Sequence, residues 1–193
     1  MTDQSEKEKM LAGVLYRASD PELVAERRSA RALVRAYNAT TGDDPEERIA
    51  LLRRLFGEVG PDVEIEPSFA CDYGYNIRVG RNLFVNFGGV FLDCAPITIG
   101  DDVQIGPQVQ IYTAKHPIDA AERRAGLESA APVVIGNGAW IGGGAIVLPG
   151  VTIGDETVVG AGSIVTRNLP AGVVAVGNPC RIIRRCNGDK PNL

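Results

Sequence analysis

Histidine and long apolar runs are what this chain has least of. Its 193 residues include one histidine, one tryptophan, two methionines and four cysteines. No stretch of 18 apolar residues occurs, so no segment reads as a membrane-spanning helix. The 23 glycines follow no strict triplet, which excludes a collagen-like chain. Cys71, Cys94, Cys180 and Cys186 form no C-x-x-C pair, a spacing that fits packed, reduced thiols better than a disulfide framework or a zinc site. Met1 to Glu8 is polar and holds no apolar signal segment, so a cytoplasmic protein is expected. The phosphate-loop pattern and the G-x-S-x-G elbow are absent, and Gly136-x-Gly138 and Gly160-x-Gly162 both lack the third glycine of a dinucleotide fingerprint. With 20 basic against 24 acidic residues the chain has no global field for nucleic acid, so neither a nucleic acid nor a membrane is expected as a partner.

The charges that are present lie unevenly. Residues 1–60 hold 21 of the 44, and the composition changes near Gly60-Pro61. Upstream, Ser5 and Glu8 have capping-box spacing, and Met10, Leu11, Val14 and Leu15 form a helical stripe. Asp20-Pro21 and Asp44-Pro45 each place an N-cap before a proline suited to the first helical turn. The helices that follow bury Leu23, Ala30, Leu33, Val34 and Tyr37, and then Ile49, Leu52 and Phe56, with Gly57 as the stop. Residues 1–60 are thus read as a helical cap.

Downstream the period becomes six. Ile99, Ile105, Ile135, Ile141, Val147, Ile153, Val159 and Val165 each open a six-residue unit, and the last six of these run unbroken from 135 to 170. Four residues into each unit stands a small or aliphatic side chain: Val103, Val109, Ala139, Ala145, Val151, Thr157, Ser163 and Leu169. Residues two apart on a strand share one face, so both members of each pair point inward. Three units close a triangular coil of about 18 residues, and successive coils stack at about 4.8 Å. The pattern runs less cleanly through Val79, Val85 and Phe91. Pro96–Gly100 recurs 36 residues later as Pro132–Gly136, and between them 117–131 has no inward rhythm, which marks a loop extruded in place of a coil. Mainly β architecture follows, a parallel β-helix over residues 61–180 with a loop at about 117–131 and a basic segment at 181–193.

Some positions fall outside the inward rhythm. His116 comes five residues after Ile111, a place that turns its ring away from the core and beside the loop. Trp140, Ile146, Val158 and Ile164 occupy the same outward place, so two faces carry apolar ladders that imply contact with neighbouring subunits or a ligand. Residues 125–166 hold no Lys or Arg, after which Arg167, Arg181, Arg184, Arg185 and Lys190 appear with only Asp189 opposing, a set suited to anionic phosphates. Asp72, Asn86 and Asp93 are polar residues in the repeat that spacing alone leaves as turn formers or ligand contacts.

Several segments together resemble one family. EKEKMLAG at 6–13, CDYGYN at 71–76, AKHPI at 114–118, Trp140-Ile-Gly, PGVTIG at 149–154 and GNPCRII at 177–183 look like the maltose/galactoside O-acetyltransferases, the sugar branch of the hexapeptide-repeat acyltransferases that includes nodulation acetyltransferases. The resemblance implies left-handed winding and a homotrimer with active sites between prisms. It also implies direct transfer of acetyl from acetyl-CoA to a hydroxyl of a sugar such as maltose, glucose or a galactoside, with no metal. His116 matches the general base, because an imidazole with ordinary pKa near 6.5 can take a hydroxyl proton and return one to the leaving thiolate. Asp72, Asn86 and Asp93 match acceptor-site positions, and Gly143 matches the backbone N–H that faces the thioester oxygen. Trp140, Gly143 and Ala161 match the CoA groove, as do Thr166, Arg167, Arg181 and Arg184. Gly143-Gly144 departs from the bulkier or basic residues of some relatives, which leaves the acceptor open. A γ-class carbonic anhydrase needs three zinc-bound histidines, two from one chain, and this chain has one. A same-fold enzyme with a non-sugar acceptor and a non-catalytic scaffold are the alternatives.

Overall fold

Local start and stop signals set the first helices. The computed structural model describes residues 4–186. Helix α1 (Glu6–Leu11) opens on a full capping box between Ser5 and Glu8. Asp20 caps α2 (Pro21–Asn38) and Asp44 caps α3 (Pro45–Leu55), each with proline in the first turn. The expected α1 stripe is shorter than its spacing suggested. Met10 is buried, but Leu11, Val14 and Leu15 are exposed, because Gly13 at φ +72° ends the turn and carries the chain away from the helical path. Helix α3 stops at Leu55 rather than Gly57, with Phe56 extended as its C-cap, and it buries Leu51 and Leu55 beside Leu52. Tyr37 and Arg48 both donate to the carbonyl of Ile65 and so tie α2 and α3 to the first coil.

From Glu58 the chain winds through three sheet faces. The first face stacks Glu58–Val59, Ile77–Val79, Ile97–Ile99, Val133–Ile135 and Thr152–Ile153 in parallel. The second stacks Glu64–Ile65, Phe84–Val85, Gln104–Ile105, Trp140–Ile141, Val158–Val159 and Val173–Val176, and closes with the antiparallel Arg181–Arg185. The third stacks Ala70–Cys71, Val90–Leu92, Gln110–Tyr112, Ile146–Val147 and Ile164–Val165. The inward pairs are buried as their alternation requires, each aliphatic side chain worth about 1.5–3 kcal/mol on leaving water. Where an inward place holds a polar residue it is satisfied: the Thr157 hydroxyl donates to the Pro170 carbonyl at 2.7 Å, and Ser163 Oγ accepts from the Gly177 N–H at 3.0 Å.

Two periods coexist in the stack. Neighbours in the lower coils are 20 residues apart, as for Ile77 beside Ile97, and in the upper coils 18, as for Ile146 beside Ile164. The difference lies at the corner between the third and first faces. There the inward register takes six residues from Cys71 to Ile77 and from Phe91 to Ile97, but four from Val147 to Val151. In the coil between, Ile111 to Val133 spans 22 residues, yet Ile97 still pairs with Val133 and Ile111 with Val147, so one coil's length has been pushed out. The extruded segment is not bare loop. It forms strand Ala114–Lys115, helix α4 (Ala120–Arg124) and strand Leu127–Ala130, which also pairs with Tyr16–Arg17. Only Ala130 of that segment is fully buried, which is why it shows no inward rhythm.

Candidate active site

The interrupted corner opens into a hollow of about 260 Å³ beside His116. The extra residues of the lower coils bring Asp72, Tyr73 and Cys94 to it, the extruded hairpin brings Ala114, His116 and Glu128, and the cap adds Tyr16 and Arg27. The imidazole is more than half exposed, and its Nδ1 stands 4.0 Å from Glu128 Oε1. The Tyr16 hydroxyl donates to Glu128 Oε2 at 3.1 Å, which fixes that carboxylate from the far side. Arg27 donates to the Tyr73 hydroxyl and, at 2.6 Å, to the Ala18 carbonyl. Burial raises the Asp72 carboxyl above its usual range. The Cys94 thiol donates to Asp72 Oδ2 at 3.7 Å and, through burial and then the Asp72 charge, is pushed up to about 12. A thiol so protonated is no nucleophile near neutral pH, so the one sulfur in the hollow offers no covalent relay.

A second concavity of about 460 Å³ runs along the second face to its corner with the third, lined by Phe84, Asn86, Gln104, Trp140, Gly143 and Ala161 among others. Trp140 is 55% exposed there and lies beside Val158, and Ile146 lies beside Ile164, as the ladders required. The corner is built by close approach. A Cβ on Gly106 would stand 2.5 Å from the Gly143 nitrogen, so glycine is the residue that lets the two coils meet. Among the described residues the Gly143 N–H donates to no protein acceptor, while its neighbour Gly144 donates to the Pro107 carbonyl at 2.8 Å. A backbone donor without a partner is free to face a ligand oxygen.

The residues expected to act together are therefore split. His116 and Asp72 share the hollow, while Asn86, Trp140, Gly143 and Ala161 share the groove. Thr166 and Arg167 follow the top strand of the third face, at the His116 corner and away from that groove. Arg181 and Arg184 lie on the exposed terminal strand of the second face, and Lys190 and Asp189 fall outside the described residues. Asp93 requires a correction. Expected beside an acceptor, its carboxylate has no exposed surface and turns inward, accepting from the N–H groups of Asp72 at 3.0 Å and Tyr73 at 2.8 Å. Backbone donors left by the longer corner claim it before any ligand could. Tyr16, Arg27, Tyr73, Cys94 and Glu128 were not singled out from the sequence. The lengthening of the period from 18 to 20 was the signal that could have marked Tyr73 and Cys94. Among the described residues no group of three or more His, Cys, Asp or Glu could hold a metal, and no helix is long and apolar enough to cross a membrane.

Comparison with known proteins agrees with this arrangement. Residues 9–60 match the maltose acetyltransferase hexapeptide capping motif, and residues 132–167 match the bacterial transferase hexapeptide repeats. Nodulation protein L of Rhizobium meliloti (strain 1021) is 54% identical over 179 residues, 93% of this chain and 98% of that protein. The crystal structure of a maltose O-acetyltransferase from Clostridium difficile 630 superposes with a TM-score of 0.93 at 53% identity, covering 94% of this chain and 97% of that one. A galactoside acetyltransferase in complex with coenzyme A gives 0.92 at 38% identity, covering 96% and 92%.

Proposed function

This chain belongs to the maltose/galactoside O-acetyltransferase family of hexapeptide-repeat acetyltransferases, and on that footing we propose that it moves acetyl from acetyl-CoA directly to a hydroxyl of a small sugar, with His116 as general base. Its prism is the left-handed parallel β-helix of that family, and it is an acetyltransferase. The observation that carries the finer reading is the placement of the sole histidine at the mouth of a polar hollow, with Glu128 beside Nδ1 and Asp72 among the lining groups. Orientation by Glu128 leaves Nε2 toward the hollow. There it takes the proton of a sugar hydroxyl whose neighbouring hydroxyls bond Asp72 and Arg27. The oxygen attacks the thioester carbon, and the tetrahedral oxyanion is met by the Gly143 N–H. Collapse expels the CoA thiolate, which takes the proton back from the imidazolium.

The separation of hollow and groove argues for a homotrimer. From Pro107 to Thr113 the chain crosses the third face in about six extended residues, roughly 20 Å at about 3.3 Å each. Reacting atoms must come within about 3–3.5 Å. One protomer's groove must therefore meet its neighbour's hollow, and exposed Trp140, Phe87 and Ile118 supply apolar surface for that contact. Asn86, on the groove side, then faces the acceptor held by the adjoining subunit, with Asp72 on the hollow side. Arg167, Arg181 and Arg184 meet the nucleotide phosphates, while Thr166, Trp140 and Ala161 border the rest of the cofactor.

Thiol release measured against monosaccharides, disaccharides, amino acids and amines tests this reading. The sugars are expected to support turnover, and His116→Ala to reduce it by about 10²–10⁴ with CoA binding and assembly retained. Unchanged turnover in the variant would remove the general-base assignment, and turnover with amines alone would remove the sugar. Replacing Arg181 and Arg184 together by alanine is expected to raise KM for acetyl-CoA about tenfold, at roughly one charge-assisted contact's worth of affinity, and KM for the sugar little. Equal rises would refute the placement of the phosphates.

A further inference from the structure

Five polar residues are fully buried, and three of them, Asn76, Asp93 and Thr113, stand in successive coils at the interrupted corner. They tie each coil to the next. Asp93 Oδ1 accepts from the backbone N–H of Asp72 at 3.0 Å and of Tyr73 at 2.8 Å, and Oδ2 from that of Asn76 at 3.4 Å. The Asn76 side-chain amide answers by donating to the Asp93 carbonyl at 2.8 Å. One coil up, Thr113 Oγ1 accepts from the Ala95 N–H at 2.9 Å and donates to the Leu92 carbonyl at 2.6 Å. The groups that wall the hollow hang from these ties: Asp72 and Tyr73 from the first, Cys94 from the second, and Ala114 and His116 just past the third.

Extra residues at a corner leave backbone N–H groups without the ladder partners that the shorter corners possess. A hydroxyl or an amide in place of Asp93 could not accept from all three. A carboxylate has acceptor capacity for all of them, and each of its bonds is charge-assisted. We propose that Asp93 is a positioning residue of the transfer reaction: it holds the 72–76 corner so that Asp72 and Tyr73 face the acceptor beside His116, and it touches neither substrate. This rests on the reading of the hollow as the acceptor site. A displacement of about 1 Å in such a wall is enough to cost an enzyme rate or affinity.

The test is steady-state kinetics of the full chain with acetyl-CoA and sugar varied separately. Asp93→Ala is expected to raise KM for the sugar at least tenfold while KM for acetyl-CoA stays within twofold. Asp93→Asn, which keeps the oxygen facing Asp72 and Tyr73, is expected to recover most of the loss. Equal movement of both constants, or an unmoved sugar KM, would overturn the proposal. Should Asp93→Ala not fold, Asn76→Ala cuts the amide tie and leaves the carboxylate in place; a sugar KM raised about threefold with acetyl-CoA unaffected supports the proposal, and no change overturns it. Amide hydrogen exchange without substrate separates the two readings. Faster exchange at Asp72 and Tyr73 in Asp93→Ala, with Val159 unaltered, belongs to Asp93, whereas a wild-type enzyme inert toward every sugar refutes the acceptor assignment alone.

Discussion

The prism has two corners that bear on function, and they are built in opposite ways. The corner between the second and third faces repeats without interruption. Its coils approach so closely that Gly106 must lack a side chain, and it presents a bare backbone N–H at Gly143 beside Trp140. The corner between the third and first faces departs from the repeat in three successive coils, and every departure feeds the hollow that His116 overlooks. A regular edge suits an elongated cofactor, because identical steps make a straight groove. An acceptor needs walls on several sides, and only added chain can supply them.

The sharpest way to break this contrast is to restore the repeat. Ile111 and Val147 are already paired although 36 residues apart, so deleting the 18 residues 114–131 leaves the 18-residue step of the upper coils. The deletion is expected to keep the β-rich circular dichroism and CoA binding while abolishing transfer. Loss of the β signal would show that the hairpin is part of the scaffold.

The regular corner is tested by filling it. Gly106→Val places a Cβ 2.5 Å from the Gly143 nitrogen, so the coils must separate. Overpacking of this kind costs about 1–3 kcal/mol in stability, read as a lower melting temperature. The loss of an oxyanion donor lowers kcat about 10²-fold or more. An unaffected kcat would detach Gly143 from the chemistry.

The smallest effect sharpens the irregular corner. Burial pushes the Asp93 carboxyl from 3.8 up to about 6, against the pull of its backbone donors. Because the folded-state value lies above the unfolded one, the folded protein holds the extra proton. The stability contributed by this group is full below about pH 4 and is lost as pH rises through about 6. Asp93→Asn does not titrate, so its stability relative to wild type should increase between pH 4 and pH 7 by up to about 3 kcal/mol. Denaturant midpoints at the two pH values check this, and a difference independent of pH would show that the carboxyl titrates normally in the fold.

Much of the scaffold was legible because burial is periodic. Val103, Val109, Ala139, Ala145, Val151 and Leu169 are all buried where the six-residue rhythm put them, and Pro21 and Pro45 do begin helices. The α1 stripe misled because three-and-four spacing cannot report where a glycine turns the chain, as Gly13 does. The hairpin from Ala114 to Ala130 was read as plain loop because its strands pair mainly by backbone and bury almost nothing. Asp93 misled for a different reason: an acidic residue in a repeat looks like a surface group until the donors that surround it are known.

From the sequence alone came the winding itself, the outward place of His116 and the apolar ladder through Trp140, since each follows from counting positions along one chain. What only the tertiary structure decided is which side chains meet. Glu128 reaches His116, Tyr16 reaches Glu128 across 112 residues, and Asp93 is consumed by backbone rather than offered to a ligand. Periodicity specifies the direction of a side chain through local backbone geometry. The company it keeps depends on corners from different coils, whose lengths set the distances between residues that no local rule connects.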